Sequence, residues 1–178
     1  MNSVTEAVTR KIWGASAGHG DVYAILDGAR DRRIHKDLAA SPLGSRCLYE
    51  GAIPKALAET APYLVPLKAW DGFTTRVLDQ GWGQSWGIWL ASDAPVLDVR
   101  RHLRRFLMVA DELGHSLYFR YYDPRVLRVY LPTCNEQELG FLFGPVERFW
   151  CESQDGKAVI EYSRRGPELE QRVFPLPA

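Results

Sequence analysis

Short, nearly uninterrupted apolar runs, spaced apart by segments of helical periodicity, constrain this chain more than any other feature. "VYAILD" (Val22–Asp27) stops at Gly28, and "SWGIWLAS" (Ser85–Ser92) stops before Asp93 and Pro95. A run so short and so uniformly apolar suits a strand buried on both faces. "RCLYEG" (Arg46–Gly51) and "PYLVPL" predict two more strands, with Pro66 marking an edge or a strand end. Between them, "RRIHKDLAA" carries weak helical spacing at Ile34 and Leu38. "PKALAETA" places Pro54 in a first turn, and "FTTRVLDQGW" puts Phe73, Val77 and Leu78 on one side.

The strongest periodicity is in "VLDVRRHLRRFLMV". Val96, Val99, Leu103, Phe106 and Leu107 share one helical face, and Arg100, Arg101, Arg104 and Arg105 lie away from it. "SLYFRYY" alternates strictly, with Leu117, Phe119 and Tyr121 on one face and Tyr118, Arg120 and Tyr122 on the other. Asp123-Pro124 then starts a helix, because the carboxylate accepts from free first-turn amides and proline needs no partner there. After Pro132, "TCNE" reads as a Thr-x-x-Glu capping box for a helix bearing Leu139, Leu142 and Phe143. "VERFWCE" and "AVIEYS" form a hairpin turning at Asp155-Gly156, with Cys151 in core phase with Phe149.

The expected architecture is α/β (α+β): a single mixed β-sheet flanked by helices, closing with a C-terminal β-hairpin. Residues 1–20, ending in the Gly/Ser-rich "GASAGHGD", predict a segment and loop ahead of a domain spanning 21–163. Residues 164–178 predict an extended C-terminal tail.

Composition narrows the function classes. Apolar residues make up 46% of the 178, enough for a core. Lys and Arg together number 22, as do Asp and Glu, a balance that argues against sequence-blind nucleic-acid binding. Cys47, Cys134 and Cys151 are widely spaced without a C-x-x-C, which predicts neither a disulfide framework nor a zinc cluster. With no signal-peptide pattern and no apolar run near ~18 residues, a cytoplasmic setting off the membrane is expected.

Candidate chemistry concentrates in "FRYYDPRVLRVYLPTC" (Phe119–Cys134). An Arg120–Asp123 pair flanked by tyrosines suits a structural lock or a polar-aromatic recognition patch. A nucleophilic Cys134, or general-base work by Asp123 near Arg120, is the enzyme alternative. Asp123 suits it poorly, since an N-cap is held ionised by amide donors and the helix dipole. "GWGQSWG" (Gly81–Gly87) lacks the lysine of a phosphate cradle. It reads as a packed turn, or as an exposed tryptophan anchor. The arginine-rich helix reads as a solvated face, or as a contact for phosphates or for an acidic partner protein, with the zero net charge favouring the protein.

In order, "YAILDGARD", "CLYEG", "APYLVPL", "GWGQSWGIWLASD", "VRRHLRRFLMV", "YFRYYDPRVLRVYLPT" and "FLFGPVERFW" resemble the family called domain of unknown function 4123, from about Tyr23 to Trp150. That resemblance implies an adaptor or chaperone of the type VI secretion system in the cytoplasm of a Gram-negative bacterium. Such a protein binds a toxic effector, through its N-terminal segment, and mediates its loading onto the VgrG/PAAR spike used in bacterial competition. It implies binding without catalysis and without a cofactor, with neither nucleic acid nor membrane as partner. The matched positions it points to are Trp82, Gln84, Trp86, Arg104, Arg105, Arg120, Tyr122, Asp123 and Arg125. A small Cys- or Asp-dependent hydrolase is the alternative.

Overall fold

The computed structural model describes residues 2–16, 20–39, 41–110 and 113–177. Its centre is a seven-stranded sheet. Strands β1 (Asp21–Asp27), β2 (Arg46–Cys47), β3 (Pro62–Leu67), β4 (Gly87–Ser92), β7 (Arg148–Glu152), β8 (Ala158–Arg165) and β9 (Glu168–Pro175) lie in the order β2-β3-β1-β4-β7-β8-β9. Strands β5 (Met108–Ala110) and β6 (Ser116–Tyr118) make a separate hairpin. The expected α+β architecture, one sheet flanked by helices and closed by a C-terminal hairpin, is present, and among the described residues every strand pair is antiparallel.

Helices cover both faces, as the uniformly apolar strands require. Tyr23 and Ile25 of β1, Ile88 and Leu90 of β4, and Phe149 and Cys151 of β7 face α5 (Val96–Arg104), α6 (Pro124–Tyr130) and α7 (Glu136–Phe143). Val22, Ala24 and Leu26, Trp89 and Ala91, and Trp150 face α1 (Ser3–Ala15), α2 (Arg32–Leu38) and α4 (Gly72–Gly81). This two-residue alternation divides the apolar side chains into two cores. Short α3 (Lys55–Thr60) buries no residue and lies on the surface. Among the described residues no helix is long and apolar enough to cross a membrane.

Side-chain caps fix the helix starts. Asn2, Asp31, Asp71, Asp123 and Asn135 each accept a backbone amide of the first turn. The last of these corrects the expected Thr133 capping box, which forms instead between Asn135 and Glu138. Leu131–Thr133 continue as a 3-10 turn, and the Thr133 hydroxyl donates back to the Tyr130 carbonyl at 2.7 Å. Pro66 lies in a sheet-interior strand, but outside the two-residue register of β2 (Arg46↔Leu64, Cys47↔Tyr63), so it behaves as an edge position.

Three local expectations change. Residues 3–15 are a helix, with Val8 and Ile12 fully buried against the sheet; positions 17–19 of "GASAGHGD" lie outside the described residues. The expected tail is strand β9, paired with β8 from Ala158↔Pro175 to Arg165↔Glu168. The alternating "SLYFRYY" strand stops at Tyr118, and Tyr121 and Tyr122 are both buried.

Candidate functional site

The turn "GWGQSWG" is held from below by Glu152. Its carboxylate accepts the Gly83 amide at 2.6 Å and the Ser85 amide at 2.9 Å, and both residues have positive φ, 79° and 56°. Two amides converging on one anion make a small nest. Burial pushes the Glu152 carboxyl up despite those amide bonds. Trp82 donates its indole N–H to the Gly156 carbonyl at 2.9 Å and packs 5.1 Å from Trp89. Trp86 is buried, with the Arg33 guanidinium 5.1 Å from its ring centre. Of the three positions singled out in this turn, only Gln84 is exposed. Glu152 escaped the sequence reading, yet a signal exists: it shares the inward phase of Trp150, and a carboxylate there needs donors.

The Phe119–Cys134 stretch does form a lock, with a different aspartate. Arg120 pairs with Asp27, which is fully buried at the end of β1 and also accepts the Ala29 amide at 3.1 Å. Burial disfavours the Arg120 charge, but the hydrogen bond and charge of Asp27 outweigh it and raise its pKa. Tyr122 is buried, and that burial raises its pKa. The Tyr121 hydroxyl donates to the Leu103 carbonyl at 2.8 Å, tying this corner to α5.

Asp123 is already engaged. It caps the Arg125 amide at 2.9 Å and takes the Arg125 guanidinium at 2.9 and 2.6 Å. Burial would raise its pKa, but these bonds and the Arg125 charge lower it. Asp123→Ala is therefore expected to cost about 2 kcal/mol, a cap plus a charge-assisted pair. The depressed folded pKa places that stabilisation above the ordinary aspartate range, and it is lost as pH falls through the folded value. Urea unfolding at neutral pH and at pH ~3 checks both halves: the wild-type–variant gap narrows in acid.

The three arginines of α5 and Arg105, which caps its end, do not share one solvated face. Arg100 donates to the carbonyls of Cys47 at 2.8 Å and Tyr49 at 3.3 Å; Arg104 donates to that of Leu48 at 2.9 Å and pairs with Glu50 at 2.5 Å. Strand β2 ends after two residues, and these guanidiniums satisfy carbonyls that no neighbouring strand takes up. Arg101 pairs with Asp98, and Arg105 lies 4.5 Å over the Phe141 ring. Between them, the buried His102 bonds through Nε2 to the Leu142 carbonyl at 2.9 Å, with its pKa lowered by burial. Arg104→Ala is expected to lower stability by about 1.5 kcal/mol, whereas Arg105→Ala leaves the thermal midpoint unchanged. Differential scanning calorimetry of the two variants separates them.

Burial pushes the Cys134 thiol up, and its Sγ lies 3.5 Å from the Tyr130 carbonyl. Cys47 is raised by burial as well, and Cys151 to about 12. A nucleophilic cysteine needs the opposite shift.

The β5–β6 hairpin stands apart. Met108, Val109, Leu113, Leu117 and Tyr118 are all exposed, Tyr118 by 64%. At its base a groove of about 290 Å³ runs between Tyr49, Ile53, Leu57, Arg104 and Tyr118. Sequence alternation placed Leu117 on one face with Phe119 and Tyr121, but a two-stranded ribbon outside the main sheet has nothing to bury it against, and Leu117 is exposed.

Among known families, the model described as Domain of unknown function (DUF4123) matches residues 22–140, more than half of the chain and all nine singled-out positions. No curated protein and no solved structure matches.

Proposed function

The chain belongs to the domain of unknown function 4123 family, and on that premise we propose that it is an adaptor of the bacterial type VI secretion system. In this reading it binds the N-terminal segment of a toxic effector in the cytoplasm and brings it to the VgrG or PAAR spike protein. It works by binding, without turnover. The observation that carries the reading beyond the family is the exposed apolar hairpin with the groove at its base. Contiguous apolar surface of this kind marks a protein-interaction site.

The rival, a hydrolase using Cys134 or Asp123 near Arg120, draws less support from the same geometry. Arg120 is committed to Asp27, Asp123 to Arg125, and the Cys134 thiol is raised. The test is affinity capture of the tagged protein from its host under secretion-active conditions, with mass spectrometry of what co-purifies. Recovery of a toxin-like protein together with VgrG or PAAR is expected. Recovery of the protein alone, with effector delivery unchanged when its gene is deleted, overturns the adaptor reading.

A further inference from the structure

Surface helix α3 separates two different surfaces. Leu57 turns toward the apolar groove, while Lys55 and Glu59, one turn apart on the same side, line a second cavity of about 790 Å³ against α2. Gly28 fixes the floor of that cavity. Its amide bonds the Ala61 carbonyl at 3.0 Å, and a Cβ there would fall 2.7 Å from the Glu59 carbonyl oxygen. The backbone before α2 therefore abuts the end of α3, leaving no room for a side chain between them.

The cavity is cationic. Arg30, Arg32, Lys36 and Lys55 line it, against Asp31 and Glu59. Asp31 is occupied as the α2 cap and by Arg33 at 2.6 Å, and Glu59 has Lys55 at 3.9 Å. Arg32 and Lys36 are exposed and have no ion pair among the described residues. His35, also in the lining, has a buried Nδ1 without a hydrogen-bond partner. The chain as a whole is neutral, so this is a local concentration of unpaired charge facing a defined hollow. A local basic hollow favours an anion.

We propose that this cavity takes a carboxylate-bearing segment of a partner polypeptide, whose apolar residues continue over α3 into the hairpin groove. The apolar neighbour points to polypeptide over a free anion or a nucleic acid, and Glu59 in the wall disfavours an uninterrupted phosphate backbone. The proposal rests on the adaptor reading for the partner's identity, but not for the chemistry of the site.

The experiment is fluorescence anisotropy of the full-length protein with labelled hexaglutamate, against hexalysine, a single-stranded hexanucleotide and competing inorganic phosphate. Hexaglutamate is expected to bind, with affinity falling as salt rises, and Arg32→Glu with Lys36→Glu to weaken it about tenfold or more. Lys157→Glu, a charge reversal on the β7–β8 turn, is expected to leave it unchanged. No binding, equal loss with Lys157→Glu, or tighter binding of the hexanucleotide or phosphate each overturns the proposal. Host capture repeated with the Arg32→Glu, Lys36→Glu protein separates the two ideas. Full recovery of the wild-type partners sinks the cavity and leaves the adaptor reading standing. If the wild-type protein recovers no partner and effector delivery is unchanged when its gene is deleted, the adaptor reading falls, and the peptide titration alone judges the cavity.

Discussion

Gly87→Ala is expected to leave little or no folded protein. A Cβ at this position would sit 1.9 Å from the Ile25 carbonyl oxygen, 2.9 Å from its carbon and 3.1 Å from the Leu26 Cα, all backbone atoms. No rotamer change relieves such a contact, so β1 and β4 would have to part where Leu26 pairs with Gly87. Both strands are central, with apolar cores on both faces. The cost is expected to exceed ~4 kcal/mol, a large share of the ~5–15 kcal/mol that holds a domain together. Gly140→Ala is the matched control. Its Cβ would meet only the end of Arg164 at 3.5 Å, and alanine in a helix is favoured by about 0.5–1 kcal/mol. Urea unfolding should show Gly140→Ala slightly above wild type and Gly87→Ala insoluble or without a cooperative transition. A normal midpoint for Gly87→Ala would mean that β1 and β4 do not approach as described.

The second large effect concerns binding. Met108 and Tyr118 face each other across the β5–β6 hairpin and are exposed by 45% and 64%. Replacing both by serine removes largely exposed apolar surface, with the Tyr49 ring 6.0 Å from that of Tyr118 as its aromatic neighbour. The thermal midpoint should therefore stay close to wild type, as for most surface substitutions. Partner capture should fall about thirtyfold, the loss of one interface hot spot of ~2 kcal/mol. Quantitative pull-down with the captured effector, beside a melting curve, reads both quantities. Unchanged capture would move the interaction surface away from the hairpin, and a collapsed midpoint would make the hairpin part of the fold.

Some of this was legible from local sequence alone. Asp123-Pro124 announces a helix start because cap and proline act within one turn, and the helix begins there. The burial of residues 22–26 in β1 and 87–91 in β4 follows from their lack of charged positions. The hairpin at Asp155-Gly156 needs only its turn residues, and Gly156 has the positive φ that such a turn uses. Helix α1 carries its own signal in Val4, Val8 and Ile12 at four-residue spacing, which the Gly/Ser-rich stretch after it masks. "TCNEQE" holds two overlapping capping boxes, Thr133 with Glu136 and Asn135 with Glu138. Choosing between them depends on how far the turn after α6 runs, and that is set by packing.

The candidate site was located but its wiring was not. Asp27 and Arg120 are 93 residues apart, and nothing near either of them names the other. Arg100 and Arg104 carry the helical phase of solvent-facing residues, yet they serve the carbonyls of residues 47–49 because β2 ends early and comes to lie beneath them. Residues 168–175 look like a polar tail, and became a strand because the open edge of β8 offered them hydrogen bonds. The sequence by itself determined the apolar strands β1 and β4, the capped start of α6 and the β7–β8 hairpin, because apolar runs, caps and turn residues act over a few residues. Only the tertiary structure decided which arginine meets which acceptor and which apolar hairpin stays uncovered. Ion pairing and burial depend on neighbours in space, and a long side chain joins whatever unpaired group the fold brings within its reach.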